Sequence, residues 1–285
     1  MKVLVTGANG FVGKYLVKAL TGKGHEVPFY KLDITRREEF RWLPHNFDAI
    51  VHLAGKVPKA SRIALSNQYI NVNGLGTQNV IDWCLLHKVK KVIYASTQMV
   101  YGKPQYLPVD ETHPTYPCGQ HGVYGISKYI GEMFCNKAMQ DFGLNCVILR
   151  FSYIYGYRQN SGYVVTKFID LANDGKDITI YGKGKVERDL LYVKDAVSAI
   201  ANAISYPSGG TYNIGIGQGV SINALAETIV KVFGKSKILH ESWRTEEGED
   251  CYLDIRKAQK ELGFMPKYTL ELGLKDYKDD MLCLK

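Results

Sequence analysis

Residues 2–13 read KVLVTGANGFVG, and the fold turns on how this stretch is parsed. Val3, Leu4 and Val5 are apolar at every position, as in a strand covered on both faces. That strand runs into a turn with glycines at 7, 10 and 13, and the turn opens a periodic apolar segment from Phe11 to Leu20 that reads as a helix. Glycine accepts a positive φ and lets backbone approach a ligand closely. The helix start adds free N–H groups and the positive end of a dipole. Gly7, Asn9, Gly10, Phe11, Val12 and Gly13 are therefore candidate contacts to the pyrophosphate of a dinucleotide.

Working outward, strand-like and helical segments alternate through the first half. After the first helix come EVPFYKLDI (26–34), a short helical stretch at 38–42, and DAIVHLA (48–54). A long amphipathic helix near 67–87 leads to KKVIYAS (90–96), and a second near 121–141 precedes NCVILRF (145–151). This rhythm predicts an α/β fold, a Rossmann-type doubly wound parallel sheet with helices on both faces. Beyond Arg150 the rhythm loosens and glycines punctuate YGKGK and GIGQG. The expected organisation is a dinucleotide-binding domain over 1–155, with returns to its sheet near 189–214. A smaller C-terminal α/β substrate lobe takes 156–188 and 215–285.

Composition narrows the class. Of 285 residues, 46% are hydrophobic and 22% charged, ordinary proportions for a chain with a sizeable core. No apolar run nears the roughly 18 residues of a membrane span, and the apolar part of MKVLVTGANG is too short for a signal peptide. Six scattered cysteines form neither CxxC nor a metal-ligand spacing, and reduced thiols in a cytoplasm are expected. The net charge of +8 is spread along the chain and brings no nucleic-acid module, so it suits an anionic metabolite better than a nucleic acid.

TGANGFVG, with its GxxGxxG spacing, resembles the extended short-chain dehydrogenase/reductases, the NAD-dependent epimerase/dehydratase family. HLAG (52–55), NGLGTQNV (73–80), VIYASTQMVYG (92–102), YGISK (124–128), ERDLLYVKD (187–195) and KAQKELGFMPKYTLELGL (257–274) are similar to its further segments, in order. The resemblance implies an enzyme acting by hydride transfer on a nucleotide-activated sugar, as a 4-epimerase or a 4-keto-sugar reductase. The dehydratase branch fits less well, since Gln98 and Met99 replace its acidic pair. A homodimer pairing through the two long helices is also implied, as are cofactor contacts from Leu53, Ala54, Gly55, Asn73 and Ala95. The cofactor is NAD or NADP. Lys31 stands where the family's ribose-binding acid would be and suits a 2′-phosphate, whereas Asp33 would serve NAD if it shifts into that role.

Three Tyr-x-x-x-Lys pairs occur: Tyr124/Lys128, Tyr163/Lys167 and Tyr181/Lys185. The last lies in a glycine-rich turn, and the second has no strand-end hydroxyl before it. Only Tyr124/Lys128 opens a helix after the Ser-Thr strand end, and residues four apart on a helix are neighbours. Oxidising a carbinol requires its proton to leave, and a nearby ammonium should lower the tyrosine pKa for that task. Thr97, Tyr124 and Lys128 are the candidate catalytic set, with Tyr124 and Lys128 also at the cofactor and Thr97 also on the substrate. Ser96 reads as a backbone-bonded neighbour and Asp195 as a helix N-cap. Arg188 matches the family's diphosphate-binding arginine, and Arg244 is the candidate for a second. In FSYIYGYRQ (151–159), Tyr153 and Tyr157 replace the family's Asn and Pro. A non-catalytic dinucleotide-binding sensor or scaffold is the rival reading, and the intact Thr97/Tyr124/Lys128 set argues against it.

Overall fold

The computed structural model describes residues 1–58, 66–119, 121–160, 162–234, 236–241, 243 and 248–283. Strand β1 (Val3–Thr6) leads into α1 (Phe11–Gly22), and β2 (Ala49–His52) follows. Helix α2 (Ser66–Tyr69) passes through a π-helical turn at Ile70–Leu75 into α3 (Gly76–Leu86). Then come β3 (Lys91–Thr97), α4 (Gly122–Phe142) and β4 (Asn145–Phe151). The rest alternates shorter elements: β5 (Tyr153–Tyr155), α5 (Val164–Asn173), β6 (Ile178–Tyr181), β7 (Glu187–Arg188) and β8 (Leu190–Tyr192). It continues with α6 (Val193–Ser205), β9 (Gly210–Ile214), β10 (Val220–Ser221), α7 (Ile222–Phe233), β11 (Ile238–Glu241), α8 (Arg256–Leu262) and α9 (Leu270–Cys283).

The central sheet is parallel, in the order β1-β2-β3-β4-β9. Successive strand residues point to opposite faces, and here both faces are apolar. Val3, Val5, Ala49, Val51, Ile93, Val147 and Leu149 join the core under α1 and α6. Leu4, Ile50, Val92, Tyr94, Cys146 and Ile148 join the core under α3 and α4. This Rossmann-type architecture is the one the alternation of the first half predicts.

Two expectations are corrected. Residues 26–34 form no strand; their only strand-like contact is a bridge from Glu26 to Lys2. Pro28 has no N–H to give a ladder, so the segment hangs by its side chains, with Tyr30 packed edge-on against Phe47. Strand β1 thereby becomes one edge of the main sheet, with β9 the other. The second correction concerns the return near 190. Strand β8 pairs with β5 outside the main sheet, and only β9 rejoins it. Around that small ribbon, α5, α7 and α9 enclose a separate core that includes Phe168, Ile169, Leu225, Ile229 and Leu274.

Candidate active site

The ends of β1, β2 and β3 converge where an open parallel sheet places its ligands, outside the carboxyl ends of the strands. Gly7 adopts φ +74°, and a Cβ there would lie 2.7 Å from the Ala54 nitrogen. A Cβ at Gly13 would lie 2.2 Å from the Gly7 carbonyl oxygen and 2.7 Å from that of Ala8. The turn therefore packs against α1 as closely as backbone allows. No side chain caps α1 and no acidic residue occupies its first turn. Its N–H groups are left to an anion, and the cradle fits the pyrophosphate of a dinucleotide.

Of the remaining cofactor candidates, Leu53 and Ala54 pack against Gly7 of this cradle. Leu53, Ala54 and Gly55 follow β2, and the Ala54 N–H donates to the Thr6 hydroxyl at 3.2 Å. His52 is buried between Thr6 Oγ1 at 2.7 Å and Thr77 Oγ1 at 3.0 Å. Burial, then the Lys128 charge, pushes its pKa down to about 3. Asn73 lies in the π-helical turn, fully buried. Its amide accepts from Lys56 N–H at 2.7 Å and donates to the Lys56 carbonyl and to Ser127 Oγ, both at 2.9 Å. It braces the segment after β2 against α4. Lys31 is exposed on a groove also lined by Asp33, Arg36 and Trp42. The Asp33 carboxylate accepts from Thr35 Oγ1 at 2.7 Å and Thr35 N–H at 3.0 Å, which holds its pKa below the ordinary carboxylate value.

Thr97 ends β3, and Tyr124 and Lys128 lie in the first two turns of α4. Lys128 is buried with its ammonium 4.2 Å from the centroid of the Tyr94 ring, an attraction to the ring quadrupole. Burial pushes its pKa down to about 8, against Cys135 and Glu132, which act upward. Tyr124 meets Tyr69 edge-on at 6.1 Å. Its pKa moves upward where the sequence predicts a downward shift. Burial is the largest cause, Tyr163 and Tyr69 add to it, and only the Thr97 hydroxyl favours the phenolate. The ammonium is turned to the Tyr94 face and does not offset that burial.

Tyr163, whose own Tyr-Lys pair has no strand-end hydroxyl before it, reaches this group, and its hydroxyl donates to the Pro58 carbonyl at 2.5 Å. Ser96 is also not backbone-bonded as expected; its hydroxyl donates to Glu132 at 2.5 Å. Asp195 sits within the first turn of α6, yet its carboxylate accepts from the N–H groups of Lys267 and Tyr268, both at 2.9 Å, instead of capping its own helix.

On the substrate side, Arg188 Nη1 donates to the carbonyls of Glu187 at 3.0 Å and Glu249 at 2.6 Å. Its guanidinium lies 5.8 Å from the Tyr153 ring centroid. The Asp189 carboxylate is turned away from it, accepting from Ile216 N–H at 2.8 Å and Leu253 N–H at 3.2 Å. Gln98, next to Thr97, accepts from Cys251 Sγ at 3.6 Å, and its buried Nε2 has no partner among the described residues. Tyr157 packs its ring on Tyr277, within the smaller lobe. Arg244 lies outside the described residues.

The profile of the NAD dependent epimerase/dehydratase family matches residues 3–215. The chain belongs to this family. A putative UDP-glucose 4-epimerase of Methanocaldococcus jannaschii is 30% identical, the match covering 96% of each chain. A UDP-N-acetyl-alpha-D-glucosaminuronate decarboxylase of Bacillus cytotoxicus is 31% identical, again over 96% of each. Among solved structures, the UDP-glucuronic acid 4-epimerase of Bacillus cereus, in complex with UDP-glucuronic acid and NAD, superposes with a TM-score of 0.88. It is 27% identical, and the match covers all of both chains. As a member of the epimerase/dehydratase family the protein is an enzyme, and NAD(P) is its cofactor.

Sequence reading missed one part of this site. A buried polar chain runs from Ser96 through Glu132, Arg150 and Tyr101 to Asn213. Its signal was present: Tyr124, Lys128 and Glu132 recur every four residues along one helix. A carboxylate on that face needs a buried partner.

Proposed function

We propose that this enzyme oxidises and re-reduces a secondary hydroxyl of a nucleotide-activated sugar, as a 4-epimerase, with Tyr124 as its acid and base. The observation that carries this reading is the joint placement of Tyr124 and Lys128 on α4 beside the Thr97 strand end, with Asn73 tying α4 to the segment after β2 on which the glycine turn packs. Relatives named as epimerases favour this reaction among the family's several. Gly7 to Gly13 would hold the pyrophosphate, and Lys128 the nicotinamide ribose. Bound NAD(P) supplies the hydride acceptor for oxidation and the donor for the return step.

The protein's own residues handle the proton. Thr97 Oγ1 orients the substrate oxygen, and Tyr124 Oη takes its proton on oxidation and returns it on reduction. Because burial favours the neutral phenol, Tyr124 is poised as the acid, and its base form depends on cationic charge in the loaded site. Arg188 would pair with the diphosphate through its parallel N–H donors. The domain boundary near 155 suits this division, with the sheet holding cofactor and the smaller lobe holding nucleotide.

One observation favours a second reading, a 4-keto-sugar reductase using NADPH. Lys31 is exposed and residues 26–34 form no regular strand to aim a ribose-binding carboxylate. Releasing and identifying nucleotide from the purified protein separates the two: retained NAD supports the epimerase, and an empty site preferring NADPH supports the reductase. Tyr124→Phe is expected to lower turnover about a thousandfold or more, with cofactor affinity within about twofold of wild type. Near-normal turnover in that variant refutes the role given to Tyr124.

A further inference from the structure

Tyr124, Lys128 and Glu132 follow one another at four-residue intervals on α4 and so share a face. Glu132 is fully buried, where a carboxylate is tolerated only if paired and hydrogen-bonded. Its Oε1 accepts from Ser96 Oγ at 2.5 Å and from Arg150 Nε at 3.0 Å, and its Oε2 accepts from Arg150 Nη2 at 2.6 Å. Arg150 Nη1 donates to the Tyr101 hydroxyl at 3.0 Å, which donates to Asn213 Oδ1 at 2.7 Å. One carboxylate thus joins α4, β3 and β4, with β9 reached through Tyr101. Ser96 immediately precedes Thr97.

We propose that Glu132 is a positioning residue of this active site, locking the helix that bears Tyr124 and Lys128 to the strand end that bears Thr97 and supplying the counter-charge to the Lys128 ammonium. The role rests on the reading of Thr97, Tyr124 and Lys128 given above. The titratable groups around Lys128 are His52 from β2, Tyr94 from β3, and Tyr124, Glu132 and Cys135 on α4 itself. His52 is neutral because it is buried. Tyr94 and Tyr124 keep their protons for the same reason. Cys135 keeps its proton through its contact with Cys146 and its burial. Glu132 is therefore the one anion among these described groups, and Arg150 balances it from the other side. Removing the carboxylate leaves Lys128 without that anion, and the ammonium then loses its proton at lower pH.

The test follows the Lys128 side chain by 13C NMR across pH in selectively labelled protein, its signal assigned with Lys128→Met. Glu132→Gln is expected to lower the midpoint by about one pH unit. The double variant Glu132→Gln/Arg150→Met, which leaves no guanidinium unpaired in the core, should show a lowered midpoint as well. Ser96→Ala cuts the lock and spares the ion pair. It should lower kcat for UDP-glucose/UDP-galactose interconversion about ten- to a hundredfold, with the Lys128 midpoint and the cofactor Kd unchanged. An unmoved midpoint in Glu132→Gln or in the double variant, or unchanged kcat in Ser96→Ala, overturns the proposal. Should Glu132→Gln not fold, an unmoved midpoint in the charge-neutral double variant overturns it by itself. These failures leave the hydride-transfer reading standing, whereas a wild-type enzyme inert towards every nucleotide sugar sinks that reading and the proposal with it.

Discussion

At the scale of single residues, burial decides the chemistry more often than charge does. His52 shows this most simply. Held neutral between two threonine hydroxyls, it has a folded pKa of about 3 against an ordinary 6.5. Stability is fully present above pH 6.5. As the pH falls towards 3, the unfolded chain takes up a proton that the folded chain refuses, so stability is lost across that window. The loss from this residue is on the order of 1 kcal/mol per pH unit. Urea unfolding between pH 7 and 4 should show a steep decline in the wild type and a flatter one in His52→Gln. Equal slopes would mean that other groups govern acid lability. Tyr124 belongs to the same class: its raised pKa could not be read from a Tyr-Lys spacing, because spacing carries no information on desolvation.

At the scale of elements, the turn between β1 and α1 was legible from glycine spacing, and the reason is steric. A methyl group at Gly13 would meet two carbonyl oxygens of the turn, neither of which is a side chain able to swing aside. Gly13→Ala is expected to weaken NAD(P) binding about tenfold or more and to lower the melting temperature as well, because Gly13 is buried and a Cβ there meets backbone. Fluorescence titration with NADH and NADPH measures this, and unchanged affinity for both would disconnect the turn from the cofactor. The apolar content of residues 26–34 suggests a strand, whereas in the fold Pro28 has no N–H to give a ladder and none forms. Strand β8 was misplaced for a different reason. Three apolar residues at 190–192 fit any buried ladder, and only the neighbouring β5 decides which one they join.

At the scale of the whole molecule, α4 leaves an apolar stripe exposed at Val123, Ile126 and Met133. No helix among the described residues is long and apolar enough to cross a membrane. Pairing of two chains through α4 and the α2–α3 helix is the arrangement proposed for this stripe, on the strength of the family resemblance. Ile126→Asp/Met133→Glu should then shift the particle from dimer to monomer in light scattering after size exclusion, and a wild-type monomer at micromolar concentration would refute the pairing.

By itself the sequence determined the glycine cradle, the parallel sheet, the family, and the grouping of Thr97, Tyr124 and Lys128. These depend on local conformation, on periodicity and on residues close in the chain. Tertiary structure alone decided the protonation state of Tyr124, the partners of Ser96 and Asp195, and the lock from Glu132 to Arg150. Each of these depends on how much water is excluded and on which distant side chain fills the space, and neither is set by spacing along the chain.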